Sequence, residues 1–566
     1  MKLYPIIVCF LFFSTTVFSQ KNIELFIEYS DSSIVKHGGK KVFFLDSLKL
    51  NSYLDNFIVE QKAEGYLTSS IDQISIDSTK ATVQLFTGNK YTWKNIYTDS
   101  IEQVFLKKNG IQLSRYNNKF FEQNSFYNLM NKIVGVYENN GYPFTKIQLN
   151  KTTFYDNKIS TFIDIKKDNL YRIDSVNAIG NAKISSSILY HLIDIHPHDI
   201  YNETKIREID KKIKNVPYLR LAKSVEVFYS DDEAKILLEL EKQKANQFNG
   251  IIGFIPNANL SNKLLLTGDL KLLIYNQLTL GEKLDFNWQK IDQYSQKVDA
   301  GVNVPYFFNI PIGFAGNLNL NKKDTSYLNV NANLAVLFHV STNSSIDIFY
   351  QNKSSNVLSD YVQNISNVST SLFGFGLSIQ NLDYIYNPSN GVEVNMKIGA
   401  GNKKGDSELL TEKQQTQIES VSEIQFYKTI VGNLIFRVRN QSAFIKLYNE
   451  TNYNFYENEA FRVGGLKSLR GFDEEAIFAT SYSIFTTELR YLFEENSAIY
   501  LFSDGGYVEK NLISGFESDM PIGIGAGIDF ETKAGIFTLN YALGKQLGNP
   551  FSIRSAKIHL GFISRF

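Results

Sequence analysis

From about Gln247 onward, apolar and polar residues alternate along the chain. Leu328, Val330, Ala332, Leu334, Val336 and Phe338 alternate with Asn329, Asn331 and Asn333. Val392, Val394, Met396 and Ile398 alternate with Glu393, Asn395 and Lys397, and Leu264, Leu266, Leu270, Leu272 and Ile274 make a third apolar face. A period of two predicts β-strands. A soluble sandwich produces the same period, because one face of each sheet packs a core. Here the polar faces carry Asn, Lys, Glu and Arg within strands long enough to cross a bilayer at a tilt. That suits polar side chains facing a barrel interior and aliphatic ones facing lipid. At about 20 residues per strand and turn, residues 246–566 predict a transmembrane antiparallel β-barrel of about 16 strands. Residues 447–480 break the strand period, and a loop that long inside a compact fold usually serves a function.

The last strand pattern runs from Lys557 to Phe566. Ile558, Leu560, Phe562 and Phe566 fall on one face, and His559, Gly561 and Arg565 on the other. Chain ends of soluble proteins usually fray into polar residues. A strand ending on an aromatic residue suits the closing strand of an outer-membrane barrel, where it also serves as an insertion signal.

Residues 22–244 follow another pattern, alternating strand and helix signals in a repeat of about 75–80 residues. Glu64-Gly65-Tyr66 recurs as Asn140-Gly141-Tyr142, each after an amphipathic stretch (Leu50 to Gln61; Phe126 to Glu138). The glycine suits a left-handed helix stop, and the tyrosine is expected to begin the next strand. Tyr91-Thr92-Trp93-Lys94-Asn95-Ile96 recurs as Tyr171-Arg172-Ile173-Asp174-Ser175-Val176, each opening a unit. In the clearest unit a strand from Tyr171 to Ile179 leads into the turn Gly180-Asn181. Helices follow near Ser185 to Leu192 and Glu203 to Asn215, then strands near Ser224 to Tyr229 and Ala234 to Glu241. This β-α-α-β-β order resembles the POTRA (polypeptide-transport-associated) domain. The resemblance implies α+β periplasmic POTRA repeats at 20–90, 91–168 and 169–245, ahead of the barrel.

Composition sharpens this picture. Lys plus Arg equals Asp plus Glu at 58 each, so no charge excess points to nucleic acid or acidic substrates. A negative mean hydropathy excludes a bundle of membrane helices. Aromatic residues make up 14% of the chain, which membrane-interface girdles would explain. Lys2, the apolar run Ile6 to Phe13 and Val17-Phe18-Ser19 before Gln20 predict a signal peptide over residues 1–19; the alternative is an uncleaved anchor. The single cysteine, Cys9, falls in that apolar run, so the mature chain is expected to lack disulfides, thiol chemistry and a thiolate metal site.

The long loop reads Phe461-Arg462-Val463-Gly464-Gly465-Leu466-Lys467-Ser468-Leu469-Arg470-Gly471-Phe472. The run Gly464, Gly465, Ser468, Leu469, Arg470, Gly471, Phe472 resembles the Gly-Gly-x-x-Ser-Leu-Arg-Gly-Phe signature of the BamA/TamA superfamily. Phe502-Ser503-Asp504-Gly505-Gly506 is similar to that family's Phe-x-Asp-x-Gly strand. The resemblance implies a loop tip, Arg470-Gly471-Phe472, folded into the barrel against an inner wall of Glu488, Arg490, Phe502, Asp504 and Gly506. A guanidinium in a confined site needs a planar anion, so Asp504 and Glu488 are its expected partners. Gly471 is expected to permit the tight turn, and Gly506 to leave room for Phe472. Whether the loop braces the barrel or also rearranges stays open.

The same resemblance implies an outer-membrane assembly, insertion or translocation factor of a Gram-negative envelope. Its partners would be unfolded outer-membrane or secreted client proteins, outer-membrane lipid, lipopolysaccharide and accessory assembly subunits. Its device would be a weak seam between the first strand, carrying Gly250 and Gly253, and the last, carrying Gly561, Phe562 and Phe566. Two alternatives are a two-partner secretion transporter for one exoprotein and a passive pore or structural barrel. No G-x-S-x-G, P-loop or H-E-x-x-H motif is present, so neither an enzyme nor a cofactor is expected. His191, His196 and His198 fall at a helix-to-helix turn, and no metal site is expected there.

Overall fold

The two sequence patterns become two kinds of sheet in a computed structural model, which describes residues 23–30, 42–77, 80–256, 264–290, 294–307, 310–341, 343–359, 362–405, 414–448, 454–532 and 535–563. The expected signal peptide and Phe566 lie outside the described residues. The chain divides into two compact units, 1–171 with 200–204, and 172–199 with 205–566.

The first unit holds two small α/β layers. In one, strand Ile23–Tyr29 runs parallel to Lys80–Phe86 and is flanked by Val42–Phe44, while Ser70–Asp77 flanks Lys80–Phe86. Helix Ser47–Ala63 starts where the Asp46 carboxylate accepts the Lys49 N–H at 2.8 Å, and it buries Leu50 and Leu54 against Leu25, Ala81 and Val83. The repeat predicts two helices here; the described residues show one, and a short strand precedes it. In the other layer, strand Thr92–Tyr97, helices Ser100–Lys108 and Gln123–Glu138, and strands Lys146–Tyr155 and Lys158–Lys166 follow the β-α-α-β-β order. Its core gathers Trp93, Leu106, Leu129, Ile133, Tyr137, Ile159 and Ile163.

Gly65 (φ +108°) and Gly141 (φ +94°) follow the two long helices in left-handed conformation. The following tyrosines do not begin strands. Their N–H groups close the helix ends, Tyr66 to the Gln61 carbonyl and Tyr142 to the Tyr137 carbonyl, both at 3.0 Å. The strands start only at Ser70 and Lys146, because this helix stop uses the N–H one residue beyond the glycine.

The second unit opens with a further α/β layer. Strand Arg172–Ile179 runs parallel to Glu233–Lys242, which also pairs with Glu226–Ser230. Helix Ser186–Ile193 and helix Glu203–Lys214 cover it, the latter through Ile206, Ile209 and Ile213. An antiparallel meander then runs from Gln247–Pro256 to Lys557–Ile563, each strand pairing with the next. It has 17 strand segments. Two of them, Gly515–Asp519 and Ile522–Thr532, pair in succession with Ser497–Leu512 and form one span, leaving 16. The break falls at Met520-Pro521, where proline lacks the ladder N–H.

The barrel is apolar outside and polar inside. Leu334, Phe373 and Leu501 are about two-thirds exposed, whereas Lys403 and Asp504 are fully buried. Ala335, Leu337 and Phe349 are an apolar inward cluster that simple alternation does not anticipate. Among the described residues no helix is long and apolar enough to cross a membrane. No backbone ladder among the described residues joins the first barrel strand to the last.

Candidate functional site

Between strand Leu434–Leu447 and strand Ser481–Glu494, the described residues 454–480 form a loop off the barrel wall. The loop is itself built: Phe461–Val463 pairs with Ile477–Ala479 as a short hairpin. Inside it, the Ser468 hydroxyl accepts the Gly464 N–H at 2.9 Å and donates to the Gly464 carbonyl at 3.0 Å. Leu469 is completely buried against Val463, Phe472, Ala479, Ile484 and Val508. These contacts hold the tip, Arg470-Gly471-Phe472, against the inner wall.

All three nitrogens of the Arg470 guanidinium are engaged. Its Nε and Nη2 donate to the two Asp504 oxygens, each at 2.7 Å, and Nη1 donates to Glu488 Oε1 at 2.8 Å. The Arg470 backbone N–H adds a bond to Asp504 at 3.0 Å. The guanidinium carbon sits 3.5 Å from the centre of the Phe502 ring, a stacking that a lysine could not reproduce. Glu488 also receives Arg490 at 2.8 Å and Arg437 at 3.0 Å, and Arg490 continues to Asp529 at 2.9 Å. Arg437, Arg470 and Arg490 thus face Glu488, Asp504 and Asp529, so the buried cluster carries no net charge. Burial of ions is tolerable only when they are paired and hydrogen-bonded in this way.

Arg437 and Asp529 were not anticipated from the sequence. One signal was there, because a charged residue in the inward register of a barrel strand demands a partner; which partner is set by the strand register, in which Arg437 stands directly across the ladder from Glu488. The glycine that makes room for the tip also differs from expectation. A side chain at Gly506 would meet the Ser483 carbonyl of the adjacent strand, not Phe472. The tip rests instead on Gly523 and Gly544: an added Cβ would lie 2.0 Å from the Arg470 carbonyl at the first and 2.4 Å from the Gly471 carbonyl at the second. Gly471 itself, at φ +92°, lies against the Leu543–Gly544 backbone with no room for a Cβ. The run Ile522-Gly-Ile-Gly-Ala-Gly, with glycine at every second position, was the legible sign of a bare inner stripe.

The loop also meets the fourth and the last strands of the sheet. Lys297, on the fourth barrel strand, pairs with Glu475, and Lys557, on the last, pairs with Asp473. Leu466 lies over Gly561 of the last strand, with 3.4 Å to an added Cβ. Gly250 sits beside Phe248 and Leu270, Gly253 is opposite Thr267, and the Phe562 ring contacts Phe537. None of these four residues is part of the Arg470 cluster. At the end of the meander the Asn249 amide donates to the Phe562 carbonyl at 3.3 Å, linking first strand to last.

Among the described residues no group of three or more His, Cys, Asp or Glu side chains is arranged to hold a metal ion. The buried carboxylates of the cluster are engaged by arginines.

Comparison with known proteins bears on this architecture. A family model described as the Omp85 superfamily domain matches residues 276–560, and one described as surface antigen variable number repeat (POTRA) matches residues 171–236. No curated protein matches the chain. Among solved structures, BamA from Haemophilus ducreyi lacking POTRA domains 1–3 is similar at 14% identity, covering 84% of this chain and 100% of that one with a TM-score of 0.44. CdiB from Escherichia coli is similar at 12% identity, covering 92% and 97%, with a TM-score of 0.49. With half of its length matched by the family model and a POTRA layer ahead of a 16-span meander, the chain belongs to the Omp85 superfamily, non-enzymatic outer-membrane transporters and assembly factors whose POTRA domains lie in the periplasm.

Proposed function

We propose that this protein is an assembly factor of the BamA/TamA type. In this reading three client-receiving units, 20–90, 91–168 and 169–245, precede a barrel at 246–566 that helps unfolded clients enter the membrane. The observation that carries it is the end of the meander. The first and last strands share no backbone ladder among the described residues, while the Asn249 side-chain amide donates to the Phe562 carbonyl. Unpaired strand edges are templates for another strand. Strand Lys146–Tyr155 offers a second such edge, since among the described residues it pairs on one side only and exposes Phe154 and Tyr155. Edge addition uses main-chain hydrogen bonds and therefore accepts many client sequences.

The loop then acts as brace and as moving part. Arg470 fixes it to the wall, and Asp473, Gly471 and Leu466 carry it to the last strand, so a shift of that strand is felt by the loop. Cysteine pairs placed along 247–250 and 560–563 test the reading. Oxidation is expected to stop insertion of an unfolded client into vesicles, and reduction to restore it; full insertion with the seam locked overturns it. Depletion in cells separates the alternatives, because loss of many outer-membrane proteins fits assembly whereas loss of one exoprotein fits dedicated secretion.

A further inference from the structure

The turn between barrel strands Leu264–Tyr275 and Lys283–Lys290 lies at the end of the barrel that the POTRA layer joins, because Gln247, which opens the first barrel strand, stands opposite Leu273. That end is the periplasmic rim. The turn reads Asn276-Gln277-Leu278-Thr279-Leu280-Gly281-Glu282, with two leucines where turns usually carry polar residues. Both are exposed, Leu278 at 65% and Leu280 at 42%. The backbone around them is firmly held. Glu282 is almost completely buried, and its carboxylate accepts the Leu278 N–H at 2.6 Å and the Leu280 N–H at 3.1 Å. The Gly281 N–H donates to Asn276 Oδ1 at 2.9 Å, and Thr279 sits at φ +61°, an unfavourable conformation for a β-branched residue. The two leucines continue the apolar outer face of the strands, where Phe248, Leu272 and Phe286 form one cross-strand row and Ile274 and Leu284 the next.

A cavity of about 310 Å³ opens between this turn and the POTRA layer. The Asn276 amide ties the two together by donating to the Lys183 carbonyl at 2.9 Å. Lys183 and Lys242 line the cavity from the POTRA side and Thr279 from the turn, with Tyr218 and Tyr275 as walls. No carboxylate is among the lining residues. Among the described residues neither lysine ammonium has an ion pair or a hydrogen bond. Two cationic groups and a hydroxyl without a countercharge suit a phosphate. The leucines decide which phosphate. A soluble one makes no use of them, whereas a phospholipid of the periplasmic leaflet brings acyl chains to the outer face of the barrel and its phosphate to the rim. The headgroup is anionic, because the amine of a zwitterionic one would find no carboxylate here.

We propose that this cavity is a headgroup site for an anionic glycerophospholipid of the periplasmic leaflet. Lys183 and Lys242 hold the phosphate, and Leu278 and Leu280 meet the acyl chains. The bound lipid ties the first barrel strands and the POTRA layer to the leaflet at one height. The inference concerns anchorage, so it holds for a general assembly factor and a dedicated transporter alike.

The test uses the full-length protein in vesicles of phosphatidylethanolamine and phosphatidylglycerol, extracted into mild detergent, with retained lipid identified by native mass spectrometry. One phosphatidylglycerol per chain is expected in preference to phosphatidylethanolamine. K183Q and K242Q are each expected to lower its retention about fivefold. K428Q, which removes an exposed lysine near the same rim on strand Gln414–Val431, is expected to change it less than about twofold. A second readout follows the acyl chains. Fluorescence added by L278W should be quenched more by phosphatidylglycerol brominated on its chains than by equally brominated phosphatidylethanolamine, and K183Q should abolish the difference. Equal retention of the two lipids, or equal losses in K183Q and K428Q, overturns the proposal. Displacement by millimolar inorganic phosphate, with L278W indifferent to brominated lipid, assigns the cavity to a soluble phosphate and also overturns it. Heat-shifted mobility on a gel checks that each barrel is folded; should one lysine variant fail, the other carries the comparison.

Discussion

The Lys557 ammonium on the last barrel strand lies 2.7 Å from the Asp473 carboxylate on the inward loop. Two residues back along the loop, the Gly471 N–H donates to His559 Nε2 at 3.3 Å. Lys557, His559 and Gly561 are alternate residues, so the loop rests along one face of the strand that ends the meander. The Asp473 carboxylate is 72% exposed, and an exposed ion pair contributes under about 1 kcal/mol. Asp473→Asn is therefore expected to shift the thermal midpoint of barrel unfolding by less than about 4 °C, followed by heat-dependent gel mobility.

Arg470 stands in the opposite regime. Removing it leaves Glu488 and Asp504 buried beside unsatisfied oxygens, and breaking a buried pair from one side costs about 3–5 kcal/mol. Arg470→Ala is expected to lower barrel stability by that order. Arg470→Lys keeps the charge but loses the fork on Asp504 and the stacking on Phe502, so it should fall in between. Because the three groups share one network, Arg470→Ala combined with Asp504→Asn should cost less than the sum of the two single changes. Strict additivity in urea unfolding would show that the residues do not act as a unit.

The sequence disclosed the barrel because lipid on one side and polar groups on the other force a period of two, visible at Leu328 to Phe338 and Val392 to Ile398. It disclosed the loop tip because Arg470 and its glycines are an unusual set. Pairing between neighbouring barrel strands was less legible. Arg437 lies 51 residues before Glu488 in the chain, and only the register of the two strands makes them neighbours. The recess under the tip was misassigned to Gly506 for a related reason. Which glycine faces a loop and which faces the adjacent strand depends on how the sheet curves, and no local pattern encodes that. Helix ends were clearer: Gly65 and Gly141 mark them, although the stop takes the next N–H and delays the strand.

Gly523 offers a steric test of the docked loop. Its missing side chain is replaced by the Arg470 carbonyl, only 2.0 Å from where a Cβ would stand. Gly523→Val therefore cannot coexist with the docked tip and is expected to displace the loop, drawing Arg470 away from Asp504 and Glu488 although no charged residue is changed. Trypsin cleavage at Lys467 in intact folded barrels should rise sharply in this variant. Unchanged cleavage would show that the wall yields rather than the loop.

In the layer built around helix Gln123–Glu138, two neighbouring positions predict opposite outcomes. Ile133 is completely buried among Leu106, Leu129 and Ile159. Ile133→Ala removes that packing and leaves a cavity, at a cost of about 2–5 kcal/mol. Gly135 lies two residues on, inside the same helix, where an added Cβ meets nothing within 4 Å. Alanine there restricts the unfolded chain and favours the helix, a gain of about 0.5–1 kcal/mol. Hydrogen exchange of the helix amides in the full-length protein measures both, with protection falling in the first variant and rising in the second. The barrel strands serve as internal reference, because neither change reaches them. A loss of protection on Gly135→Ala would show that the helix face at this position is occupied by a contact that the open space around Gly135 does not reveal.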